Sequence, residues 1–505
     1  VVRSMRRPTA RTPRGERAGS LWRGSSVLLV LSTFLLALTA LHHAHKPLPP
    51  GLSVEMPRRS VVSVRFLADL TYVDPAGDRH VDQQIFDEVL RIVREAERRV
   101  VVDFFLWNAF QGERREQTRA LCRELTDALL ARKREVPAID ILVITDPINS
   151  VYGGVRAPHL DRLRQADIPV VVTDLDPLRD SNWIWSSLWR WLVRPLGRGG
   201  PGLFSNPFGG DPVSLRTDLR ILNFKANHRK TIVADTPGGW VGLVTSANPH
   251  DGSSAHGNVA IRFEGAAVAD LLETERAVAS FSGGPIPAPL ETAAFVEVDG
   301  KGSLAGPLDS VGVFLRVITE GRIAETVERE LAQVGEGDEV AVAMFYLSDR
   351  GVVAGLRAAR ARGALVRVLL DPNKDAFGRP RNGVPNRPVA SELRRSGVSI
   401  RWCDTHGEQC HAKMLLVRRG KRASLVLGSA NFTRRNLRDL NLETNVAVEG
   451  PIDAAVFQDA WSYFERVWRN EPGRRYSVDY DVFADESVLK AWLYRLSEGL
   501  GVGTF

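Results

Sequence analysis

The strongest constraint on the fold of this 505-residue chain is an internal duplication. Two stretches repeat one order: an apolar strand, a helical segment, an apolar strand ending in Asp-Pro, a helical segment and a short strand. The longer strands are residues 100–106 and 141–147 in the first stretch, and residues 340–346 and 366–372 in the second. Alternating strands and helices predict βαβ units, and continuous apolar strands predict burial on both faces. We therefore predict an α/β protein of two similar domains, each a mixed, mostly parallel sheet flanked by helices, packed as a pseudo-dimer.

Each half then contains a His-x-Lys strand, with His228 and Lys230 in the first half and His411 and Lys413 in the second. Residues i and i+2 of a strand point to the same face, so each imidazole projects beside an ammonium. After a turn, the partner strands end in Ser-x-Asn elements, which supply Ser246, Asn248, Ser429 and Asn431. Two halves packed face to face would offer the nucleophile, the general acid and the fixed positive charge that phosphoryl transfer needs.

These motifs resemble those of the phospholipase D superfamily, whose pattern is His-x-Lys, four residues, Asp, and a downstream Gly-Ser-x-Asn. The resemblance covers roughly residues 60–470 and is specific because the motif occurs twice at equivalent places. The first copy includes Asp235, but Thr245 replaces its Gly, and Arg418 occupies the Asp position of the second copy. Arg418 lies on the strand face opposite Lys413, so we interpret the missing Asp as a structural change.

The resemblance implies a covalent mechanism. One His attacks phosphorus to form a phosphohistidine, and the other protonates the leaving alcohol and then activates water or a second alcohol. Family precedent favours His228 as the nucleophile and His411 as the acid/base, while the sequence alone leaves this assignment open. The supporting and phosphate-binding residues that the resemblance implies are Asp235, Ser246, Asn248, Ser429, Asn431 and Glu443. No cofactor or metal is expected, because the lysines supply the charge that a metal would bring.

A further departure concerns the acid that orients a His in this family. Glu443 fits that role in the second half. Matching residues 258–260 to residues 445–447 places His256 opposite Glu443, so the first half has no acid there. Together with Arg418, this leaves a catalytically degenerate scaffold as an alternative, in which the two imidazoles would not converge.

The N-terminal segment predicts attachment to the cell membrane. Residues 25–41 are apolar and uncharged, at the short end for a bilayer span, and follow an arginine-rich stretch. The basic flank predicts the N-terminus inside and the catalytic body on the exported side of an uncleaved single-pass anchor. A cleaved signal peptide, and hence secretion, is the alternative. The predicted divisions are a basic cytoplasmic tail (1–24), the anchor (25–41), a linker (42–60), the first domain (61–290), the second domain (291–475) and a C-terminal extension with an amphipathic helix expected to pack on the body (476–505).

The charge distribution argues against nucleic acid as a partner. Residues 1–46 carry eight basic side chains and one acidic one, which accounts for the whole net charge of +7. The remaining body is neutral and lacks the electrostatic footprint of a duplex-binding protein. A nuclease or other non-lipid phosphodiesterase stays an alternative that predicts a basic groove around both His-x-Lys strands.

An insertion at residues 178–215 is rich in tryptophan. It holds four of the eleven tryptophans of the chain, namely Trp183, Trp185, Trp189 and Trp191. Tryptophan with arginine favours a membrane interface, where the segment could dip into lipid or line an acyl-chain groove. Rings that pack over the domain as a lid are an equally weighted alternative.

The three cysteines leave two possibilities. Cys403 and Cys410 lie close to His406 and His411, a set of ligand types that zinc could use, although zinc would consume His411. Alternatively the two cysteines form a disulfide, which an exported location permits. Cys122 lies in a helical pattern and is expected to be a buried apolar filler.

These observations predict a phospholipase D-type phosphodiesterase or phosphatidyltransferase acting on phospholipids. Its expected partners are the phospholipid substrate and the membrane, and its catalytic unit is expected to be a monomer. Cardiolipin-synthase-like transfer is the alternative main reaction, because hydrolysis and transfer share one covalent intermediate.

Overall fold

The computed structural model describes residues 15–112, 117–197, 199–290, 312–376, 379–500 and 503. Residues 1–14 of the predicted basic tail lie outside the described residues. Residues 291–311, where the second domain is predicted to begin, also lie outside them.

Strands form most of the two domains, and helices connect them. The strands are β1 (Arg59–Ser60), β2 (Ser63–Val73), β3 (Arg79–Asp82), β4 (Arg99–Phe104), β5 (Asp140–Thr145), β6 (Val170–Val172), β7 (Pro201–Phe204), β8 (Lys230–Thr236), β9 (Gly239–Thr245), β10 (Asn258–Glu264), β11 (Phe314–Thr319), β12 (Glu339–Met344), β13 (Leu365–Leu370), β14 (Asp375–Ala376), β15 (Arg379–Pro380), β16 (Ser399–Cys403), β17 (Lys413–Arg419), β18 (Arg422–Gly428), β19 (Thr444–Pro451) and β20 (Ser477–Asp479). The α-helices are α1 (Gly15–His45), α2 (Ile85–Glu95), α3 (Leu121–Glu135), α4 (Pro158–Gln165), α5 (Trp183–Leu188), α6 (Leu215–Ile221), α7 (Ala267–Phe281), α8 (Gly321–Ala332), α9 (Arg350–Ala361), α10 (Asn386–Arg395), α11 (Arg434–Leu437), α12 (Ala455–Arg469) and α13 (Val488–Leu500).

The strands form two large sheets with matching topology. The first has the order β3-β2-β10-β9-β8-β4-β5-β6, and the second has the order β1-β11-β19-β18-β17-β12-β13-β16-β20. The strand sets β8–β9–β10 and β17–β18–β19 occupy equivalent places, as do β4–β5–β6 and β12–β13–β16. This confirms the predicted mixed α/β fold of two similar domains. The second sheet extends through β20, beyond the predicted domain end at residue 475.

The prediction of mostly parallel sheets is wrong. Among the described strands, the parallel pairs are β4–β5 and β5–β6 in the first sheet and β12–β13 and β13–β16 in the second. The βαβ pattern predicts these pairs correctly. The other neighbours are antiparallel. Among them, β8–β9 and β17–β18 are hairpins, because the strand after each His-x-Lys returns through a two-residue turn.

The core has three apolar layers. Successive side chains of each strand point to opposite faces of the sheet, so one strand contributes to two layers. In β8, Ile232 and Ala234 face the outer layer with α2 and α3, whereas Val233 faces the central layer. The central layer contains side chains from both sheets together with α7 and α12, which lie between the sheets. The third layer covers the outer face of the second sheet with α8, α9 and α10. The two domains therefore share one continuous core.

A buried ion pair also joins the domains. Arg229 lies between the first His and Lys, and its Nη2 atom is 2.8 Å from Oε1 of Glu320. Glu320 also accepts hydrogen bonds from the backbone N–H of Ser53 at 2.7 Å and of Glu443 at 3.1 Å. The linker, the first domain and the second domain thus meet at one carboxylate that is fully buried.

One helix among the described residues is long and apolar enough to cross a membrane, at Ser26–His45. This segment contains most of the predicted anchor, and few of its side chains are buried. Its C-terminal end contacts the tryptophan-rich insertion, where Trp191 Nε1 donates a hydrogen bond to Thr39 Oγ1 at 3.1 Å.

Some tryptophans of the insertion pack on the body, and others are exposed to solvent. Trp189 is buried, and Trp185 Nε1 donates to the carbonyl of Leu219 at 3.0 Å, so these rings cover the first domain. Trp191 is 53% exposed, and Leu203 farther along the insertion is 97% exposed. The predicted lid and the predicted exposed apolar surface are therefore different parts of one segment.

The C-terminal helix α13 packs on the body through Tyr494, whose hydroxyl accepts a hydrogen bond from Arg350 at 2.7 Å. The amphipathic helix is expected to pack its apolar face on the body, but its apolar residues Leu489, Trp492, Leu493 and Leu496 are exposed. Their stripe lies on the side of α13 away from Tyr494.

Removing the shared carboxylate should destabilise the whole body. Glu320→Ala removes the closer of the two carboxylates beside the buried Arg229 and leaves only the 3.7 Å pair with Glu275, so we expect a loss of about 3 kcal/mol in the free energy of unfolding. Glu325→Ala is the matched control, because Glu325 forms an exposed pair with Arg322 within α8. Thermal unfolding of the full chain in detergent measures both variants. Equal melting temperatures for the two variants would contradict the joining role of Glu320.

Candidate active site

The two histidines lie at equivalent points of the interface between the domains. His228 and His411 each stand two residues before a strand, β8 and β17 respectively. The backbone N–H of His228 donates to the carbonyl of Leu442 at 2.9 Å, and that of His411 donates to the carbonyl of Gly257 at 2.7 Å. Each His is therefore held in place by the backbone of the other domain.

The imidazole side chains are also oriented across the interface. Nδ1 of His228 lies 3.0 Å from Oε2 of Glu443, and Nδ1 of His411 lies 3.0 Å from Oδ1 of Asn258. Both contacts leave the Nε2 atoms as the reactive nitrogens, because Nδ1 is engaged. Glu443 and Asn258 are equivalent, since each directly follows the residue that bonds to the His backbone.

This geometry corrects the alignment of the two halves. The residue opposite Glu443 is Asn258 and not His256, so the predicted register was wrong by two positions. The conclusion that the first half has no acid there is unchanged, because the partner of His411 is a neutral amide. His256 instead accepts a hydrogen bond from the backbone N–H of Gln409 at its Nδ1, and its ring centroid is 5.8 Å from that of His411.

The predicted serines support these orienting side chains. Ser429 Oγ donates a short hydrogen bond to Glu443, and Ser246 Oγ donates to Asn258 Oδ1 at 3.0 Å. The two relays are therefore Ser429–Glu443–His228 and Ser246–Asn258–His411. Both hydroxyls are engaged in positioning rather than placed to bind phosphate.

The two lysines lie beneath the histidines and are fully buried. Lys230 Nζ donates to the carbonyl of His228 at 2.6 Å, and Lys413 Nζ donates to that of His411 at 2.9 Å. The ammonium groups lie 5.2 Å and 5.3 Å from the ring centroids of Phe105 and Phe345. Each lysine is thus held by a carbonyl and an aromatic face beside its own His.

The Asp-Pro elements fix the backbone just before each His. Asp146 Oδ2 accepts a hydrogen bond from the backbone N–H of Asn227 at 2.7 Å, and Asp371 Oδ2 accepts one from that of Cys410 at 2.8 Å. Burial raises the pKa of both carboxyl groups to about 7. The sequence contains this signal, since both halves have Asp-Pro at the end of the same strand.

The remaining predicted site residues differ in placement. Asp235 is at the far end of β8, where its carboxylate accepts hydrogen bonds from the backbone N–H groups of Arg98 and Arg99 at 2.9 Å and 2.7 Å. Asp235 therefore stabilises the start of β4, which corresponds to a supporting role. Its counterpart Arg418 covers the ring of Trp461 at 3.9 Å, equally far along its strand.

The two Ser-x-Asn amides stay close to the cleft. Asn248 Oδ1 accepts a hydrogen bond from the backbone N–H of Leu106, which follows Phe105. Asn431 is buried at the equivalent position, and its Oδ1 has no hydrogen-bond partner among the described residues.

Sequence reasoning missed Phe105, Phe345 and the role of Asn258. The two phenylalanine rings lie 4.7 Å and 5.1 Å from the rings of His228 and His411. Their signal was available, because both follow the first strand of the repeat. The role of Asn258 had no local signal, because its partner His411 is 153 residues away.

Burial controls the protonation of the site. Burial lowers the pKa of His228 to about 4, although the Glu443 carboxylate opposes the shift. Burial and the nearby Lys413 charge lower the pKa of His411, and Lys230 and His228 across the interface contribute to the same shift. Burial lowers the pKa of Lys230 to about 7, and it lowers that of Lys413 as well. An anion placed beside the lysines would raise these pKa values, because its charge favours the protonated ammonium groups.

The cysteine sulfurs are not placed to hold zinc. Cys403 and Cys410 form a disulfide with an S–S distance of 2.04 Å. This agrees with the disulfide possibility and leaves no free thiolate beside His411. Cys122 is buried as expected, and burial raises the pKa of its thiol to about 12.

Similarity to known proteins agrees with this geometry. The family model described as cardiolipin synthase, PLD-like domain, matches residues 330–468. Phosphatidylserine synthase of Haemophilus influenzae Rd KW20 has a similar structure, with 12% identity and a TM-score of 0.53 over 88% of this chain and 94% of that one. Nuc of Salmonella typhimurium, a phospholipase D family member, matches with 16% identity and a TM-score of 0.26 over 33% of this chain and 99% of that one. No curated protein sequence matches the chain.

The fold and the site define a duplicated α/β protein whose two halves each place one His-x-Lys pair at the interface between the domains. The family match covers the second of these halves, and the structural similarity covers the fold of both. Residues 330–468 are thus similar to the PLD-like domain of cardiolipin synthase.

Anion binding should be coupled to proton uptake. At pH 7.5 an anion beside Lys230 raises the pKa of that group from about 7, so binding of inorganic sulfate should take up on the order of one proton. Calorimetry of the full chain in two buffers of different ionisation enthalpy measures the number of protons taken up when sulfate binds. Lys230→Met should reduce the uptake. Proton release, or no exchange at all, would contradict the placement of the lysines at an anion site.

Proposed function

We propose that this protein is a phospholipase D-type phosphodiesterase or phosphatidyltransferase that acts on phospholipids. The observation that carries the proposal is the pair of imidazoles that are oriented across the domain interface, each beside a buried lysine. A degenerate scaffold would require imidazoles that diverge, whereas each imidazole here is held at the interface by the opposite domain.

The proposed reaction has two steps at one phosphorus atom. Nε2 of one His attacks phosphorus, an N–P bond forms, and the P–O bond to the headgroup breaks as the other His protonates the leaving oxygen. The second His then takes a proton from water or another alcohol, whose oxygen attacks phosphorus and releases the first His. Lys230 and Lys413 stabilise the charge on the non-bridging oxygens, so the mechanism needs no metal.

The two relays favour His228 as the nucleophile. A phosphohistidine carries positive charge on its ring, and the Glu443 carboxylate next to Nδ1 of His228 stabilises that charge. The amide of Asn258 offers His411 no such charge, so the His411 imidazolium loses its proton more readily. The asymmetry thus fits His228 as the nucleophile and His411 as the acid/base.

Hydrolysis and transfer share the covalent intermediate, and the acceptor decides between them. Water gives phosphatidic acid, whereas a lipid alcohol gives a new phospholipid, including cardiolipin if the acceptor is phosphatidylglycerol. The matched family model, described for cardiolipin synthase, supports transfer as the alternative main reaction.

Replacing either His should abolish lipid turnover. We expect His228→Asn and His411→Asn in the full chain to lower turnover of phosphatidylglycerol vesicles on the order of 10³-fold or more, because either change removes a required proton or bond partner. His256→Asn is the matched control, a buried histidine next to His411 outside both relays. Mass spectrometry of phosphatidic acid and cardiolipin measures the products.

The same assay distinguishes a lipid enzyme from a nuclease and a metal-free reaction from a metal-dependent one. Turnover should persist in a chelator, because the lysines supply the positive charge. Cleavage of single-stranded DNA without lipid turnover would overturn the proposed substrate class, and loss of activity in chelator would overturn the metal-free mechanism.

We also propose that α1 anchors the protein in the cell membrane and that the insertion touches the bilayer. Trp191 and Leu192 are 53% and 63% exposed, and Trp191 is bonded to Thr39 near the end of the apolar helix. A surface continuous with a membrane span lies at the interface, where exposed aromatic rings are favourable. We further propose that the catalytic unit is a monomer and that the catalytic body lies on the exported side of the membrane.

A fluorescent label on Leu203→Cys tests the bilayer contact. Leu203 is almost fully exposed, whereas Cys122 is buried and the other two cysteines are paired, so labelling is specific. When the full chain is reconstituted into lipid vesicles that contain spin-labelled lipids, we expect these lipids to quench the label at position 203. Leu365→Cys is the control, at the start of β13 away from the site. Equal, weak quenching at both positions would contradict the bilayer contact.

A further inference from the structure

Arg435 is a cation at the interface between the domains that the reaction above does not use. It lies in α11, four residues after Asn431, and forms no ion pair with a described residue. The side chain is half-buried, and its Nε atom is fully buried with no hydrogen-bond partner among the described residues. A guanidinium in this state can take an anion from outside the chain.

The guanidinium lies between the two domains. Its central carbon is 4.8 Å from the ring centroid of Phe224, which precedes His228 by four residues. Burial lowers the pKa of Arg435 to about 10, while the nearby Tyr152 and Tyr346 oppose the shift. First-domain and second-domain aromatic residues therefore surround a cation that stays charged at neutral pH.

The position lies close to the His motif of the first domain and is reached from the second. Phe224, on which the guanidinium stacks, precedes His228 by four residues. Asn441, whose backbone N–H donates to the carbonyl of Arg435 at 3.1 Å, accepts a hydrogen bond from the backbone N–H of Ala226 at its Oδ1. Arg435 therefore lies beside the His-x-Lys pairs and apart from them, where it could meet a group other than the reacting phosphate.

The nearest acid does not occupy this position. Glu498 influences Arg435, but its carboxyl group is bonded to Ser348 Oγ and to the backbone N–H of Arg434 at 3.3 Å. Burial also raises the pKa of Glu498. The corresponding segment of the first half, residues 249–257, is two residues shorter and contains no arginine, so the cation has no symmetric counterpart.

We propose that Arg435 binds a second anionic group, a carboxylate or phosphate carried by the headgroup or by the acceptor alcohol. A guanidinium suits these groups because its fork of N–H donors matches two oxygens at once. This inference rests on the proposed function and narrows its substrate class to lipids or acceptors with a charge beyond the reacting phosphodiester.

Substrate ratios of the full chain in detergent micelles test the proposal. The headgroup arm compares kcat/KM for phosphatidylserine, which carries a carboxylate, with that for phosphatidylglycerol, which carries a neutral headgroup. The acceptor arm compares transfer onto glycerol 3-phosphate with transfer onto glycerol. We expect Arg435→Gln to lower the anionic-to-neutral ratio about 10-fold or more in at least one arm.

The controls separate recognition from structure. Arg434→Gln changes the adjacent arginine of the same helix and should leave both ratios unchanged. Arg435→Lys keeps the charge but not the fork and should restore part of the ratio. The arm that responds identifies the source of the anion. An equal loss for anionic and neutral partners, or unchanged ratios in both arms, would overturn the proposal.

A binding measurement keeps this test independent of catalysis. In the His228→Asn background, short-chain phosphatidylserine and phosphatidylglycerol should bind the full chain with a preference for phosphatidylserine that Arg435→Gln removes, if the headgroup is the source. If the acceptor is the source, glycerol 3-phosphate should show the same dependence relative to glycerol. Failure of lipid turnover with this preference intact would contradict the proposed function and leave the Arg435 site standing.

Discussion

The active site depends on hydrogen bonds that cross between the domains. Glu443 of the second domain orients His228 of the first, and Asn258 of the first orients His411 of the second. The backbone on each side is held in the same reciprocal way. Neither domain alone can position its own histidine, so the duplication is a requirement of the site and not only of the fold. The continuous central core and the buried Glu320–Arg229 pair maintain the contact.

The two halves of the site are nearly symmetric, so the position at which they differ is informative. Equivalent positions hold a carboxylate in one half and an amide in the other, and these groups affect a charged imidazole differently. Two similar domains can thus give two histidines with different tasks. Arg435 adds a second asymmetry, because the corresponding segment of the first half contains no arginine.

Much of this organisation could be predicted from the sequence, because it follows from local pattern. The repeated strands, the two His-x-Lys pairs and the possible disulfide are all readable within short segments. Glu443 was predicted to orient a His, but its pairing with His228 and the role of Asn258 were not readable, since each partner lies in the other domain. The similarity of residues 258–260 to residues 445–447 was a misleading local cue that shifted the alignment by two positions. The excess of antiparallel pairs was missed because the βαβ pattern describes one side of each sheet, whereas the hairpin after each His builds the other.

The central claim is that two imidazoles from different domains reach one phosphorus atom. A structure of the full chain with bound tungstate, a tetrahedral anion like phosphate, tests it most directly. The account predicts one tungstate with the Nε2 atoms of His228 and His411 both within about 2.6–3.2 Å of the anion, on opposite sides of it. Two separate anions, or one anion that contacts a single histidine, would contradict the shared site.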